Sequence, residues 1–529
     1  MTVAGWNFGD LFDGCGAVLD ATTPALIHGD RVVNWGELTR RSNNLARAFL
    51  QDGAVAGDKV ALYMRNCPEY METLVACFKA RLVPVNVNYR YLDDELYYIL
   101  ENSDAVAVVY GAEFSDHVTA LQGRLTGLRW LEVGGPYERV VADGPGTPLA
   151  IERSGDDLLF IYTGGTTGMP KAVMWRQEDL WHALGSGAVA PCNAGAPVES
   201  LTAHLENLGN FDQVVTQMVS CPLMHGTGLI TALSALSGGA CLATLTRPGL
   251  DVEELWDTVQ ERQVNTVVIV GDAFAKPMLK SLEDNPGRWD ISSLTLMVSS
   301  GVMWSPAVKE GLLQYNPNMI LLDTFGSSEA LGFGSSISGG GETARSARFT
   351  VGPDCKVFNE ALEEVQAGSG ERGFIARPGP IPLGYYKDQE KSAETFPIIN
   401  GVRYSIPGDW CTVDADGTLN LLGRGSACIN SAGEKIYPEE IEEALKTHAN
   451  VDDALVFGID HDKWGQAVTA LVQMAENQDL DEQELHGHVR GLLAHYKSPK
   501  AIYSVKTMFR APNGKADYKA AKAYVETLN

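Results

Sequence analysis

Apolar and polar positions alternate along the chain in two rhythms. "DKVALYM" (58–64) is a short apolar run, and "PEYMETLVACFKARLV" (68–83) then places its apolar residues at helical spacing. "DDELYYILENS" (93–103) leads into the run "AVAVVY" (105–110) in the same way. Further on, "DDLLFIYTGG" (156–165), "VNTVVIVGD" (264–272), "LTLMVSSG" (294–301) and "NMILLDTFG" (318–326) are apolar runs that end in small or polar residues. Strands alternating with helices predict an α/β fold with mixed or parallel sheets. Ligands of such folds gather at the carboxyl ends of the strands, so several small-residue loops at strand ends predict one shared site.

After about residue 424 the texture changes. "YPEEIEEALKTH" (437–448) predicts a helix, with Pro438 early, acidic residues in the first turn, and Ile441 and Leu445 on one face. "DDALVFGID" (452–460) predicts a strand, and 481–494 a further helix. This is a compact α+β unit of typical small-domain size. The small-residue stretch "GRGSACINSAGE" (423–434) is the expected boundary, giving a large domain over 1–424 and a small one over 425–529.

Composition narrows the partners. The 529 residues carry 41 Lys and Arg against 67 Asp and Glu, a net charge of −26. Such a surface repels phosphate backbones, which argues against nucleic acid. An anionic small molecule needs only local positive potential and is not excluded. Nine cysteines (15, 67, 77, 192, 221, 241, 355, 411, 428) are dispersed without a CxxC pair, as expected of reduced thiols. No HExxH occurs, and His486 and His488 stand two apart in the expected helix, where side chains diverge, so no protein-held transition metal is expected. No basic start with an apolar run opens the chain, and no window approaches a membrane span. A cytoplasmic location is the expectation.

The densest chemical signal is "YTGGTTGMPK" (162–171), with three glycines, a cluster of hydroxyls and one lysine after the strand "LLFI". Backbone N–H groups and hydroxyls at a strand end, approached closely through glycine, suit a polyphosphate, and Lys171 adds a point charge. A solvent turn is the plain alternative for any isolated GG or TG pair. A P-loop ATPase is disfavoured, since its GxxxxGK[ST] spacing is absent.

"YTGGTTGMPKAVMW" resembles the phosphate loop of the adenylate-forming superfamily, which includes acyl-CoA synthetases, adenylation domains and luciferases. Six further stretches resemble its motifs in order. They are "PLMHGTG" (222–228), "SSGVMW" (299–304), "DTFGSSE" (323–329), "PGDW" (407–410), "GRGSACINSAGEKIYPEEIE" (423–442) and "PNGK" (512–515). Departures are Gly164 where serine is common, Ala172 for glycine, Phe325 for tyrosine, Ser328 for threonine, and Ser426 at the usual aspartate or lysine pivot. None removes a group that the chemistry needs.

The resemblance implies a two-domain adenylate-forming fold and a two-step reaction. A carboxylate attacks the α-phosphorus of ATP to give acyl-AMP and pyrophosphate, and the thiol of coenzyme A then displaces AMP. It implies that Thr163, Gly164, Gly165, Thr166, Thr167 and Lys171 cradle phosphates, and that Glu329, with Thr163, helps hold Mg²⁺. Ser300, Gly301, Asp323, Phe325, Gly326 and Ser328 would surround adenine. Asp409 and Arg424 would hold the ribose, and Lys515 would reach the α-phosphate and the acid. Ser426 would be the hinge and Gly433 part of the coenzyme A channel. Read without the resemblance, Glu329 is a helix-start carboxylate, Asp409 a turn residue and Lys515 a solvent lysine. His225 is balanced between lining the acyl pocket and capping a helix.

The acid is less constrained. Glycines 226, 228, 301, 332 and 334 leave room for a bulky apolar acyl group, and "CNAGAPVESLTAHLENLG" (192–209) is either a mouth segment or a surface loop. The motifs look most like the bacterial branch of fatty-acid and steroid side-chain ligases, which favours a fatty, steroid-derived or isoprenoid acid. Aryl acids, transfer to a separate carrier protein, a regulatory protein that has lost catalysis, and a homodimer stay open.

Overall fold

The computed structural model describes residues 5–163, 169–302, 304–341, 343, 347–424, 429–431, 434–461, 465–493, 495–511 and 514–528. The expected sites Gly164, Gly165, Thr166, Thr167, Ser426 and Gly433 lie outside them. The fold is mixed α/β, in two compact units: Met1–Ala344 with Pro378–Ser405, and Arg345–Arg377 with Ile406–Asn529.

The first unit holds two sheets. One runs in the order Gly384–Tyr385, Lys171–Arg176, Leu158–Thr163, Val83–Asn86, Lys59–Tyr63, Ala105–Tyr110, Arg129–Glu132. It is parallel from Leu158–Thr163 onward, and its first two strands are antiparallel additions. The other contains six parallel strands, Pro24–His28, Cys241–Thr244, Thr216–Val219, Thr266–Ile269, Leu296–Ser300 and Ile320–Ser327. Arg31–Asn34 and Ala330–Ser338 pair antiparallel at the two ends of that run. The continuous apolar character of "LLFI" and "TVVI" follows from burial on both faces, as parallel sheets require. Between them the Pro68–Lys79 helix, with Pro68 at its start, is buried along its whole length. Its Lys79 is sealed from solvent and paired with Asp13 at 3.1 Å and the Asn43 amide oxygen at 2.8 Å.

Segment 192–209 is not an open surface loop. Leu201–Gly209 is a helix capped by Ser200, and it buries Leu201, His204 and Leu208. His204 is tied at 2.9 Å to the Ser237 carbonyl and at 2.9 Å to Asn193.

In the second unit, Lys356–Phe358, Gly373–Ala376, Asp409–Val413, Thr418–Arg424 and Arg348–Val351 pair antiparallel in that order. A second sheet carries the hairpin Val451–His461 and Gly465–Met474, with Ala501–Ser504 parallel at its side. Helices Pro438–Lys446 and Glu482–Leu492 cover one face through Ile441, Leu445, Leu485 and Val489, and Tyr518–Glu526 covers the other. His486 and His488 do diverge, one towards Ser498 and the other towards the Ala444 carbonyl. By packing, this unit takes in more chain than 425–529: Trp410 and Leu422 share an apolar cluster with Tyr437.

Candidate active site

The Leu158 strand is apolar until Tyr162, and Thr163 marks its half-buried end. The chain returns antiparallel, so that Tyr162 faces Ala172 and Thr163 faces Lys171 in the register. Asn86 ties this strand end to the histidine turn. Its amide oxygen accepts from Tyr162 N at 2.7 Å, and its amide nitrogen donates to the Met224 carbonyl. Thus Tyr162 and Met224, distant in sequence, meet through one buried amide.

Lys171 donates to the Asp388 carboxylate and lies 5.9 Å from the ring centroid of Tyr385. Hydrogen bonding by Lys171 holds the Asp388 carboxyl below the usual range. Asp388 also caps the Gln389–Thr395 helix by accepting from Lys391 N at 2.9 Å. Neither Tyr385 nor Asp388 was expected from sequence. The only local signal was "GYYKD" (384–388), and its pairing with the Lys171 strand is a matter of sheet register.

Glu329 sits at the tip of a β-hairpin, between Ile320–Ser327 and Ala330–Ser338, not at a helix start. The register slips between Phe325 and Ser327, and a Cβ on Gly326 would lie 3.1 Å from the Ala330 carbonyl, so the tight bulge favours glycine. Glu329 is buried. Its Oε1 accepts from the Tyr385 hydroxyl at 2.9 Å, and its carbonyl accepts from Ser405 at 2.7 Å. Trp175 packs in the core and donates its indole N–H to the Ser328 carbonyl at 2.9 Å. Tyr385 therefore stands between a cation and a carboxylate, its ring by Lys171 and its hydroxyl on Glu329.

The residues expected around adenine lie on neighbouring strand ends. Ser300 donates to the Thr324 carbonyl at 3.0 Å, and Thr324 donates to the Ser299 carbonyl at 3.0 Å, locking the two ends together. Gly301 follows with φ +88°, a left-handed conformation that favours glycine. The buried Phe325 ring lies 5.3 Å from that of Phe333. Asp323 points to the helix side and meets Lys309, with Nζ to Oδ2 at 3.2 Å. Burial raises the Asp323 carboxyl to about 6, against the lowering influence of Lys309. Trp304 is fully buried.

His225 occupies the N-cap position of the Gly226–Ser237 helix, but its side chain makes no capping hydrogen bond. Gly226 is close enough to the hairpin that a Cβ there would lie 3.1 Å from Ser328 Oγ. At Gly228 a Cβ would strike the Pro222 carbonyl at 2.4 Å, so this turn admits only glycine.

In the second unit, Asp409 is buried, and its backbone is the register partner of Arg424. That pairing brings the two expected ribose residues to one place on adjacent strands. Lys515 is exposed on a tight turn, where its carbonyl accepts from Ala511 N at 2.8 Å and Gly514 has φ +78°.

Comparison with known proteins gives the family and the fold. The family described as AMP-binding enzyme matches residues 18–386, and its C-terminal domain matches 440–515. A medium/long-chain-fatty-acid–CoA/3-oxocholest-4-en-26-oate–CoA ligase of Mycobacterium marinum is 40% identical over 522 residues, covering 95% of this chain and 94% of the relative. A 3-oxocholest-4-en-26-oate–CoA ligase of Rhodococcus rhodochrous is 40% identical over 524 residues, covering 94% and 92%. ATP-bound MatB of Rhodopseudomonas palustris shares the fold, with TM-score 0.82, 22% identity, and coverage of 99% and 100%. The chain belongs to the AMP-binding enzyme family, in its acyl-CoA ligase branch, whose substrates include ATP and coenzyme A.

Proposed function

We propose that this enzyme activates a medium- or long-chain fatty acid or a steroid-derived carboxylic acid as its coenzyme A thioester. The support for the substrate class is full-length identity of 40% to relatives named for such acids; Gly226 and Gly228, expected to leave acyl room, instead meet Ser328 and the Pro222 carbonyl closely.

A carboxylate is a poor electrophile, because resonance and charge resist nucleophiles. In the first step its oxygen attacks the α-phosphorus, the bond to the bridging oxygen breaks, and pyrophosphate leaves with that electron pair. Negative charge on the phosphates must be met by groups already in place. Thr163 and Lys171 face the phosphate tail, and Lys171 exchanges Asp388 for phosphate when ATP arrives. The buried Glu329 carboxylate and the Thr163 hydroxyl are hard oxygen donors, a set that fits Mg²⁺ bound mostly by phosphate and water. When bound, Mg²⁺ neutralises phosphate charge. Tyr385 fixes Glu329 through its hydroxyl. Asp409 and Arg424 hold the ribose, and Lys515 offers its ammonium to the α-phosphate and the acid.

In the second step the thiolate of coenzyme A attacks the acyl carbonyl and AMP leaves. The first step needs Lys515 and the second needs a path for pantetheine, and we assign Ser426 the role of hinge and Gly433 a role in that path. His225, at the head of the Gly226 helix, faces the acyl group.

The test separates the steps. Lys515→Ala should lose acid-dependent exchange between pyrophosphate and ATP by about 10²-fold or more, yet still convert supplied acyl-AMP and coenzyme A to thioester. Equal loss of both half-reactions would refute the assignment.

A further inference from the structure

Lys309 has no part in the chemistry above, yet it is a charge almost wholly out of water. It lies on the Pro306–Tyr315 helix at 1% exposure, 3.2 Å from Asp323 Oδ2 and 5.4 Å from the ring centroid of Trp304. Replacing a buried ion pair with apolar side chains is often neutral or stabilising, so stability alone is a weak reason to keep this one. Its position is more telling. Asp323 is the register partner of Ser299, whose hydroxyl accepts from Gly271 N at 2.9 Å. It lies two residues before Phe325 and beside the strand end that carries Ser300 and Gly301.

The other charges around it are few. Asp272, at the start of the Asp272–Asp284 helix, also acts on Asp323. Its own carboxylate accepts from Ser305 N at 2.9 Å and Ser305 Oγ at 3.2 Å, and Lys276 is 3.9 Å away.

We propose that Lys309 is a positioning residue that keeps Asp323 an ionised hydrogen-bond acceptor for the exocyclic amino group of adenine, making the pair the nucleobase filter of the adenylation step. The inference rests on the reading of Ser300, Gly301 and Phe325 as the adenine pocket. Adenine presents an amino donor where guanine presents a carbonyl acceptor. A carboxylate accepts from the first and repels the second, whereas a protonated carboxyl can donate to the second. Burial favours the protonated form, and Lys309 opposes it. Without Lys309, Asp323 takes a proton from solvent near neutral pH and its preference is lost.

The experiment measures acid-dependent pyrophosphate release from ATP and from GTP between pH 5.5 and about 8.5, in a window spanning the carboxyl's titration. Wild-type enzyme, Asp323→Asn, Lys309→Met, Lys309→Arg and the double variant Lys309→Met/Asp323→Asn are compared. The wild type should prefer ATP by about 100-fold or more above pH 7, and that preference should fall as pH drops through about 6. Asp323→Asn should lower that ratio by about tenfold above pH 7 and leave it flat with pH, since an amide can turn its donor outward and does not titrate. Lys309→Met should lower it equally at pH 7 and recover it as pH rises, and Lys309→Arg should keep it. The double variant should match Asp323→Asn alone, because both changes act on one group. Equal losses with ATP and GTP at all pH values in Lys309→Met, or an unchanged ratio in Asp323→Asn, would overturn the proposal. If Lys309→Met does not fold, the isosteric Asp323→Asn still decides it. A wild type that releases pyrophosphate from neither nucleotide would overturn the adenylation reading itself, and this inference with it.

Discussion

Lys171–Asp388 and Lys309–Asp323 are both lysine–aspartate pairs of the first unit, but their side chains are 36% and 29% exposed in the first pair and 1% and 9% in the second. Solvent decides what each can do. The open pair is weak, because water competes for both partners, and Lys171 can trade its carboxylate for a phosphate at little cost. The sealed pair has no such exchange, because each charge left alone would face the full penalty of burial. One is suited to handing a cation to a ligand, the other to holding a wall of the site in one electrostatic state.

Substitutions can break that contrast. Lys309→Ala should cost about 3–5 kcal/mol of stability at pH 8, since it strands a buried carboxylate. Chemical denaturation at pH 5 should show a smaller loss, because Asp323 can then take a proton. Lys171→Met should leave the unfolding midpoint nearly unchanged but lower kcat/KM for ATP by about 10²–10³-fold. A similar loss of stability in the two variants would mean that the pairs do not differ as described.

The pH dependence sharpens the comparison. The Asp323 carboxyl is raised in the fold, from 3.8 to about 6. Protons therefore favour the folded state: its contribution is fully present below pH 3.8 and is lost as pH rises through about 6. Relative to Asp323→Asn, the wild type should lose about 3 kcal/mol across that window. A flat difference between the two denaturation series would contradict it. The smallest effect belongs to Asp388→Asn, which should change stability by no more than about 1 kcal/mol. By freeing Lys171 it should lower KM for ATP about two- to fivefold, the same energy expressed in binding. A raised KM would show that Asp388 assists ATP.

Sequence made several strands of the first unit's two sheets legible, because apolar runs and turn residues act locally. "LLFI", "TVVI" and "LMVSS" became the strands they predict, and the stretch from Pro438 became a helix. Asp409 and Arg424 were expected together and are register partners. What stayed hidden depends on which distant strand lies alongside. Asp388 meets Lys171 across 217 residues, and Tyr385 meets Glu329 across 56. No local pattern encodes those separations. Glu329 looked like a helix start because "GSS" favours helix caps, but the bulge at Gly326 turns the chain back into a strand instead. Lys309 was equally invisible: in "PAVKEGLLQY" it reads as a solvent lysine, and only the fold places Asp323 over it.

The most direct test of the central claim is mass spectrometry of the products formed from Mg-ATP, coenzyme A and a mixture of short, long, aryl and steroid side-chain acids. Acyl-CoA should form from the long-chain or steroid acids, with AMP and pyrophosphate released in equal amounts. Acyl-AMP without thioester, or thioesters of the short or aryl acids alone, would contradict it.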